Sequence, residues 1–227
     1  MGLLYPQTCC FCGKNSTQEM CDTCKKKIVY IHEPRCKKCG KPVRYEEQEY
    51  CHDCQKQDFC YEQGRSIWLH KGPVPWSIYQ FKYHNRRIYG EFYAKELYRL
   101  YAKNIRDWGI DLIVPVPLHW KRKRKRGYNQ AEIIAKHLGR LMEIPVDSKA
   151  VVRKKYTEPQ KTLNNKERKK NLKDAFEVKK SWSTPKRILV IDDIYTTGST
   201  IDGAAKALLE KGHNKVWFLT ISIGQDF

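Results

Sequence analysis

An α/β fold, a parallel sheet with helices on both faces behind a small cysteine-rich module, is the class this sequence predicts. Three observations predict it. Short apolar runs near Asp111, Val146–Val152, Ile188 and Val216–Ile223 alternate with segments of helical spacing, the pattern of a parallel sheet with crossover helices. The run Ile188–Ile191 is apolar on consecutive residues, as a strand buried on both faces must be. All ten cysteines precede residue 61, so they belong to a separate unit. The boundaries follow as 1–62 for the cysteine-rich module and 63–227 for the α/β domain.

In the module, eight cysteines form four C-x-x-C knuckles: Cys9/Cys12, Cys21/Cys24, Cys36/Cys39 and Cys51/Cys54. Two knuckles supply the four thiolates of a tetrahedral site, which suits Zn²⁺, so two sites are allowed. Sequential pairing gives a double zinc ribbon; interleaved pairing or a single occupied site also satisfies the spacing. Thiolates fill every coordination position, so the metal is structural. The segment is poor in Leu, Ile and Val, and metal binding supplies what its core cannot, on the order of 10–16 kcal/mol per site. Cys10 and Cys60 are left over. Lys25, Lys26, Lys27, Arg35, Lys37 and Lys38 make the module basic.

Glu62–Pro75 carries Gly64, Gly72, Pro73 and Pro75 and reads as a connector. Trp76–His84 alternates apolar and polar residues, as a half-buried strand would. Ile88–Ile105 has helical spacing. Asp111–Val116 is a short strand running into Pro115-Val116-Pro117-Leu118-His119, where the prolines stiffen the turn. Lys121–Arg126 are six consecutive cations, which repel one another and stay out of a packed interior. Gly127-Tyr128-Asn129-Gln130 opens the helix Ala131–Met142. Val151–Phe176 is polar and cationic without an apolar period, which fits a mobile lid.

Arg187–Ile201, RILVIDDIYTTGSTI, carries the chemistry. Asp192 and Asp193 stand at the carboxyl end of a strand. Thr196, Thr197, Gly198, Ser199 and Thr200 lead into a helix that ends at Gly212. The free N–H groups of a helix start, with hydroxyls beside them, suit a phosphate dianion, and Gly198 lets the backbone approach it. Two adjacent carboxylates suit vicinal sugar hydroxyls with Mg²⁺ nearby. In an open parallel sheet this site lies at the carboxyl edge, where the proline loop also arrives. Arg126, Arg153 and Arg168 are placed to neutralise a pyrophosphate.

Lys and Arg total 44 against 25 Asp and Glu, a net charge of +19, which points to a polyanionic partner, most simply nucleic acid. No apolar run approaches the ~20 residues of a spanning helix. The first residues lack the pattern of a secretory signal, so a cytoplasmic protein is the expectation.

The strand–acidic pair–TTGST arrangement resembles the phosphoribosyl pyrophosphate (PRPP) motif of type I phosphoribosyltransferases. VPVPLHWKRKRKRGYNQAE, followed by Arg153, Thr157, Gln160, Arg168, Asn171, Phe176 and Asp192–Thr200, resembles the ComF/ComFC family, which also includes GntX. The likeness covers essentially the whole chain. It implies a type I phosphoribosyltransferase-like fold carrying a zinc ribbon. It also implies a late competence protein of natural transformation that handles single-stranded DNA beside a competence helicase/ATPase of the ComFA type. By this resemblance Asp192 and Asp193 are the catalytic pair and, with Thr196–Thr200, hold the ribose 5-phosphate of PRPP with Mg²⁺. Pro115, Val116, Pro117, Leu118 and His119 form the pyrophosphate loop. Arg153, Thr157, Gln160 and Arg168 belong to the flexible loop. Lys121, Arg122, Lys123, Arg124, Lys125, Arg126 and Tyr128 are expected to track nucleic acid, with Tyr128, Trp120 or Trp182 stacking on bases. Trp120 stands where the family usually has Pro, Asp174 where Gly is common, and Tyr195 is bulkier than usual, a change expected to affect packing over the sugar. Active glycosyl transfer from PRPP to an unidentified acceptor is the other reading the motifs allow.

Overall fold

The computed structural model describes residues 8–154, 175–179, 186–212 and 215–224. Four parallel strands form the central sheet in the order β1-β6-β5-β2: Gln63–Leu69 (β1), Leu112–Pro115 (β2), Arg187–Tyr195 (β5) and Lys215–Ile223 (β6). Val151–Arg153 (β3) and Phe176–Val178 (β4) pair antiparallel as a separate two-stranded sheet. Helices cover both faces, as expected.

On one face lie Val74–Tyr83 (α3), Tyr89–Asp107 (α4) and Gln130–Met142 (α6). Phe81, Tyr93, Leu97 and Leu138 share that core with Ile113, Leu189, Ile191 and Leu219. The opposite face is covered by Ser199–Leu209 (α7) together with β3 and β4; its core holds Ile188, Val190, Val216 and Phe218 against Ile201, Ala204, Ala205 and Leu208. Alternate residues of β5 thus feed opposite cores, the period of a strand buried on both sides.

Three sequence expectations change. The segment from Trp76 is helix, not strand. Its buried residues are Val74, Ser77, Ile78 and Phe81, a helical spacing, and Pro75 pre-sets the first turn. The exposed face is itself aromatic, which disguises the period. Second, Glu62–Pro75 is largely the edge strand β1 rather than a connector. Gly64 is not a hinge: a Cβ there would lie 1.9 Å from the Phe218 ring on β6, so close packing demands the glycine. Third, Val146–Val152 is not one strand. Val146 makes a single bridge to Ile113, and the chain then turns away to form β3.

The cysteine-rich segment, with its short helices Asp22–Lys25 (α1) and His52–Lys56 (α2), straddles the edge of the sheet at β1. Cys9, Cys10, Phe11 and Cys24 join the α4 core, with the Phe11 ring edge-on to Trp68 at 5.2 Å and to Phe92 at 5.8 Å. Cys36, Cys39 and Cys51 join the α7 core. Between them Val29–Ile31 runs antiparallel along β1: Ile31 N–H donates to Ile67 O at 3.1 Å and Leu69 N–H to Val29 O at 3.0 Å. The edge strand is therefore covered rather than left open to pairing with another chain.

Candidate functional site

The eight knuckle cysteines gather into two tetrads, Cys9/Cys12/Cys21/Cys24 and Cys36/Cys39/Cys51/Cys54, with the sulfurs of each within 4.8 Å of one another. The pairing is sequential, which removes the interleaved alternative. A tetrahedral Zn²⁺ with Zn–S near 2.3 Å needs sulfurs about 3.8 Å apart. Cys12 and Cys21 Sγ lie 3.8 Å apart, and Cys39 and Cys51 Sγ 3.5 Å. Backbone N–H groups of Phe11 and Cys21 point at Cys9 Sγ, both at 3.4 Å, and that of Cys39 at Cys36 Sγ, at 3.5 Å. Those donors favour thiolates, so the donor sets fit structural zinc. Cys10, buried among apolar groups, has its thiol pushed up to about 12 and takes no part.

The second site is a cavity of about 330 Å³ at the carboxyl ends of the parallel strands. From β5 come Asp192, Asp193 and Ile194, from the following turn Thr196, from the start of α7 Thr200, and from the loop after β2 Val116, Pro117 and Leu118. Arg122, Arg126 and Arg153 complete a cationic wall, and His70, Lys82 and Tyr83 the remainder. The acidic pair, the hydroxyl turn and the proline loop, far apart in the chain, thus share one cavity.

The acidic pair is not symmetric. Asp193 accepts from Lys82 Nζ at 2.8 Å. Asp192 accepts from the Asp193 N–H at 2.8 Å. Burial first, and the Asp193 charge second, push the Asp192 carboxyl up to about 7 from its usual 3.8; Lys82 and Arg153 oppose the rise. Arg153 is itself lowered to about 10 by burial and by Arg122.

Gly198 caps α7 at φ +78°, where a side chain is strained. A Cβ there would meet Tyr195 Oη at 2.5 Å and the Phe59 ring at 2.8 Å. Glycine is needed here because aromatics from the cysteine-rich segment and from β5 press on the turn from behind. Thr197 and Ser199 hydroxyls lie 3.0 Å apart in the same turn. Tyr195 does not line the cavity: it is buried, stacked on Phe218 at 4.9 Å.

The GYNQ segment organises this edge. Gly127, at φ +78°, ends the helix Trp120–Arg126 (α5). Asn129 caps α6 through its Oδ1, and its Nδ2 donates to Val116 O at 2.9 Å, fixing the proline loop. Gln130 accepts from Arg126 at 3.0 Å. Tyr128 is buried, its hydroxyl donating to Phe81 O and its ring beneath Arg87 at 4.7 Å. Tyr128, expected to stack on a base, is thus largely withdrawn from solvent, with Arg87 over its ring.

The cationic run is a short helix with two faces. Arg122 and Arg126 are half-buried and line the cavity; Lys121, Lys123, Arg124 and Lys125 are exposed. Arg126, expected in both the pyrophosphate and the nucleic-acid sets, therefore faces the cavity together with Arg122, while the other four cations face solvent. Pro115 and His119 flank the cavity without lining it; His119 is buried and caps α5. Thr157, Gln160, Arg168 and Trp182 lie outside the described residues. Lys82, His70 and Tyr83 are cavity residues that the sequence does not announce; Lys82 and Tyr83 escape notice because their helix alternates apolar and polar residues as a strand would.

Site and fold together define a zinc-ribbon protein whose parallel α/β body carries an acidic–hydroxyl pocket. Residues 1–55 match the double zinc ribbon domain family. The chain is 32% identical over 202 residues to Competence protein F of Haemophilus influenzae, covering 87% of each. Competence protein ComFC of Bacillus subtilis is 27% identical, covering 86% of this chain and 80% of that one. The DNA utilization protein YhgH of Escherichia coli is 28% identical, covering 88% and 89%. The chain belongs to the ComF/ComFC family. Among solved structures, a purine phosphoribosyltransferase from Pyrococcus horikoshii aligns with 58% of this chain and 73% of its own at 15% identity and a TM-score of 0.38. A hypoxanthine phosphoribosyltransferase from Staphylococcus aureus aligns with 59% and 62% at 17% and 0.33. Likenesses that shallow assign no chemistry.

Proposed function

We propose that this protein acts in natural transformation, binding single-stranded DNA and holding PRPP with Mg²⁺ in the cavity at the sheet edge. The names of its relatives support the setting. The observation that carries the ligand is the convergence of Asp192 and Asp193 with Thr196, Thr200 and three arginines around one cavity. Carboxylates take sugar hydroxyls, the turn and the start of α7 take the 5-phosphate, and Arg122, Arg126 and Arg153 take the pyrophosphate. With Asp193 paired to Lys82, a magnesium ion would be held chiefly by the ligand's own phosphates and their waters, with Asp192 nearby, neutralising the pyrophosphate. The net charge of +19 supports the nucleic-acid partner. A cytoplasmic site of action beside a ComFA-type helicase/ATPase completes the proposal. No described helix is long and apolar enough to cross a membrane.

Catalysis is the second reading, favoured by the position of Asp192 beside Asp193. Two carboxylates at the sugar would stabilise positive charge on its ring as pyrophosphate leaves, and the arginines would hold the leaving group. The cavity does not name an acceptor.

Titration calorimetry with PRPP and Mg²⁺ tests the ligand. The parent chain should bind, and Asp192→Asn with Asp193→Asn should weaken binding at least tenfold while the chain stays folded. Equal affinity in parent and double variant would remove the pocket from the argument.

A further inference from the structure

The exposed face of α3 carries three aromatics at helical spacing: Trp76, Tyr79 and Tyr83, which are 39%, 48% and 53% exposed. Positions i, i+3 and i+7 lie on one side of a helix, so the rings form a single stripe. Tyr79 and Tyr83 have their centroids 5.1 Å apart. At one end Trp76 abuts Gly13 of the first zinc knuckle: a Cβ on that glycine would lie 3.1 Å from the indole. At the other end Tyr83 lines the sugar–phosphate cavity. There Arg126 donates to its hydroxyl at 3.0 Å and lies 4.8 Å from the ring centre.

Nothing in the cavity's chemistry explains Trp76 or Tyr79, which lie outside it. Large aromatics left in water in a row are costly unless a partner covers them. The charge next to the stripe selects the partner. Arg126 closes its cavity end, and the rest of the cationic helix α5 continues from there. Aromatic faces beside a cationic track are the recognition elements of single-stranded nucleic acid, whose bases stack while its phosphates meet cations. A duplex, with its bases already stacked, has no use for the rings.

We propose that Trp76, Tyr79 and Tyr83 are the base-stacking surface for a single strand, which runs from the first zinc knuckle to the cavity. The strand and PRPP then meet at Tyr83 and Arg126 and compete. The proposal rests on the single-strand reading above and supplies the surface for it. It also replaces Tyr128, buried in the fold, with rings that are open.

Fluorescence anisotropy with a labelled oligothymidylate tests it. Tyr79→Ala and Trp76→Ala should each weaken binding, roughly 5- to 100-fold, the usual worth of one stacked base. Tyr79→Phe, which keeps the ring, should stay near the parent. PRPP with Mg²⁺ should displace the oligonucleotide from the parent. Parent and alanine variants binding alike would overturn the stacking surface while leaving single-strand binding in place. A parent that binds no single strand would overturn the functional reading and this surface with it. If the alanine variants instead dissociate a dimer in light scattering with strand affinity unchanged, the stripe is a contact between copies and the proposal fails. If PRPP and strand bind together without competition, the shared end at Tyr83 is refuted.

Discussion

The Tyr195 hydroxyl meets the Tyr61 hydroxyl at 2.7 Å in the buried core. Tyr195 closes the strand that carries the acidic pair; Tyr61 follows the last zinc-ligand knuckle. Through Phe59, stacked on Tyr61 at 5.1 Å, the same cluster backs Gly198. A second tie lies beside it, where the Cys60 N–H donates to Asp202 in the first turn of α7 at 2.6 Å. The second cysteine tetrad and the turn at Gly198 are thus parts of one packed unit.

Tyr195→Phe should cost about 1–3 kcal/mol, because it leaves a buried hydroxyl on Tyr61 without its partner. Urea denaturation followed by tryptophan fluorescence measures the loss. A variant as stable as the parent would mean that the pair contributes nothing net.

Zinc loss should act differently at the two tetrads, since they lie in different cores. Native mass spectrometry should find two zinc ions per chain, and one in either Cys12→Ser or Cys39→Ser. Cys39→Ser should also weaken PRPP binding several-fold, through the aromatics behind Gly198. Cys12→Ser should leave PRPP affinity closer to the parent and weaken single-strand binding by loosening the contact at Trp76. Equal effects of both variants on both ligands would show that the ribbon responds as a whole.

The raised Asp192 carboxyl predicts a pH-dependent stability. Its folded value, about 7, lies above its ordinary 3.8, so the folded chain holds that proton more tightly than the unfolded chain. The stabilisation is therefore full below about pH 4 and is lost as pH rises through about 7. Asp192→Asn, which never ionises, should be more stable than the parent at pH 8, by roughly 2–4 kcal/mol, and match it near pH 4. Thermal melts at the two pH values read the difference. One that does not change between them would place the carboxyl in an ordinary environment.

The two faces of α5 should separate by salt dependence. Neutralising Lys123, Arg124 and Lys125 to Gln should weaken single-strand binding and flatten its dependence on salt, by about 0.7 in slope for each phosphate no longer neutralised. PRPP affinity should change less than twofold, because Arg122 and Arg126 remain in the cavity. An unchanged slope would move the backbone-binding cations elsewhere.

Much of this is legible in the chain. Cys-x-x-Cys spacing announces thiolate metal sites, because ligand geometry is set within four residues. Ile188–Thr200 announces a strand, an acidic pair and a phosphate-type turn, because all three are local. The pairing of Asp193 with Lys82 is not legible, nor is the aromatic stripe, because both depend on a helix whose outward face is as apolar as its inward one. The cationic run reads as one block in sequence; only the 3.6-residue period of α5 splits it into Arg122 and Arg126 on the cavity side and the rest in water.

By itself the sequence determined four thiolate knuckles for metal, a mainly parallel α/β body, and the acidic pair with the hydroxyl turn beside it, since each is written in neighbours along the chain. Only the tertiary structure decided that the two tetrads clasp opposite faces of the sheet across β1. It alone decided that Arg122 and Lys82 join the proline loop and the acidic pair around one cavity, and that Tyr83 stands at its mouth. Those are distances between residues far apart in sequence, and burial of both faces of the sheet sets them.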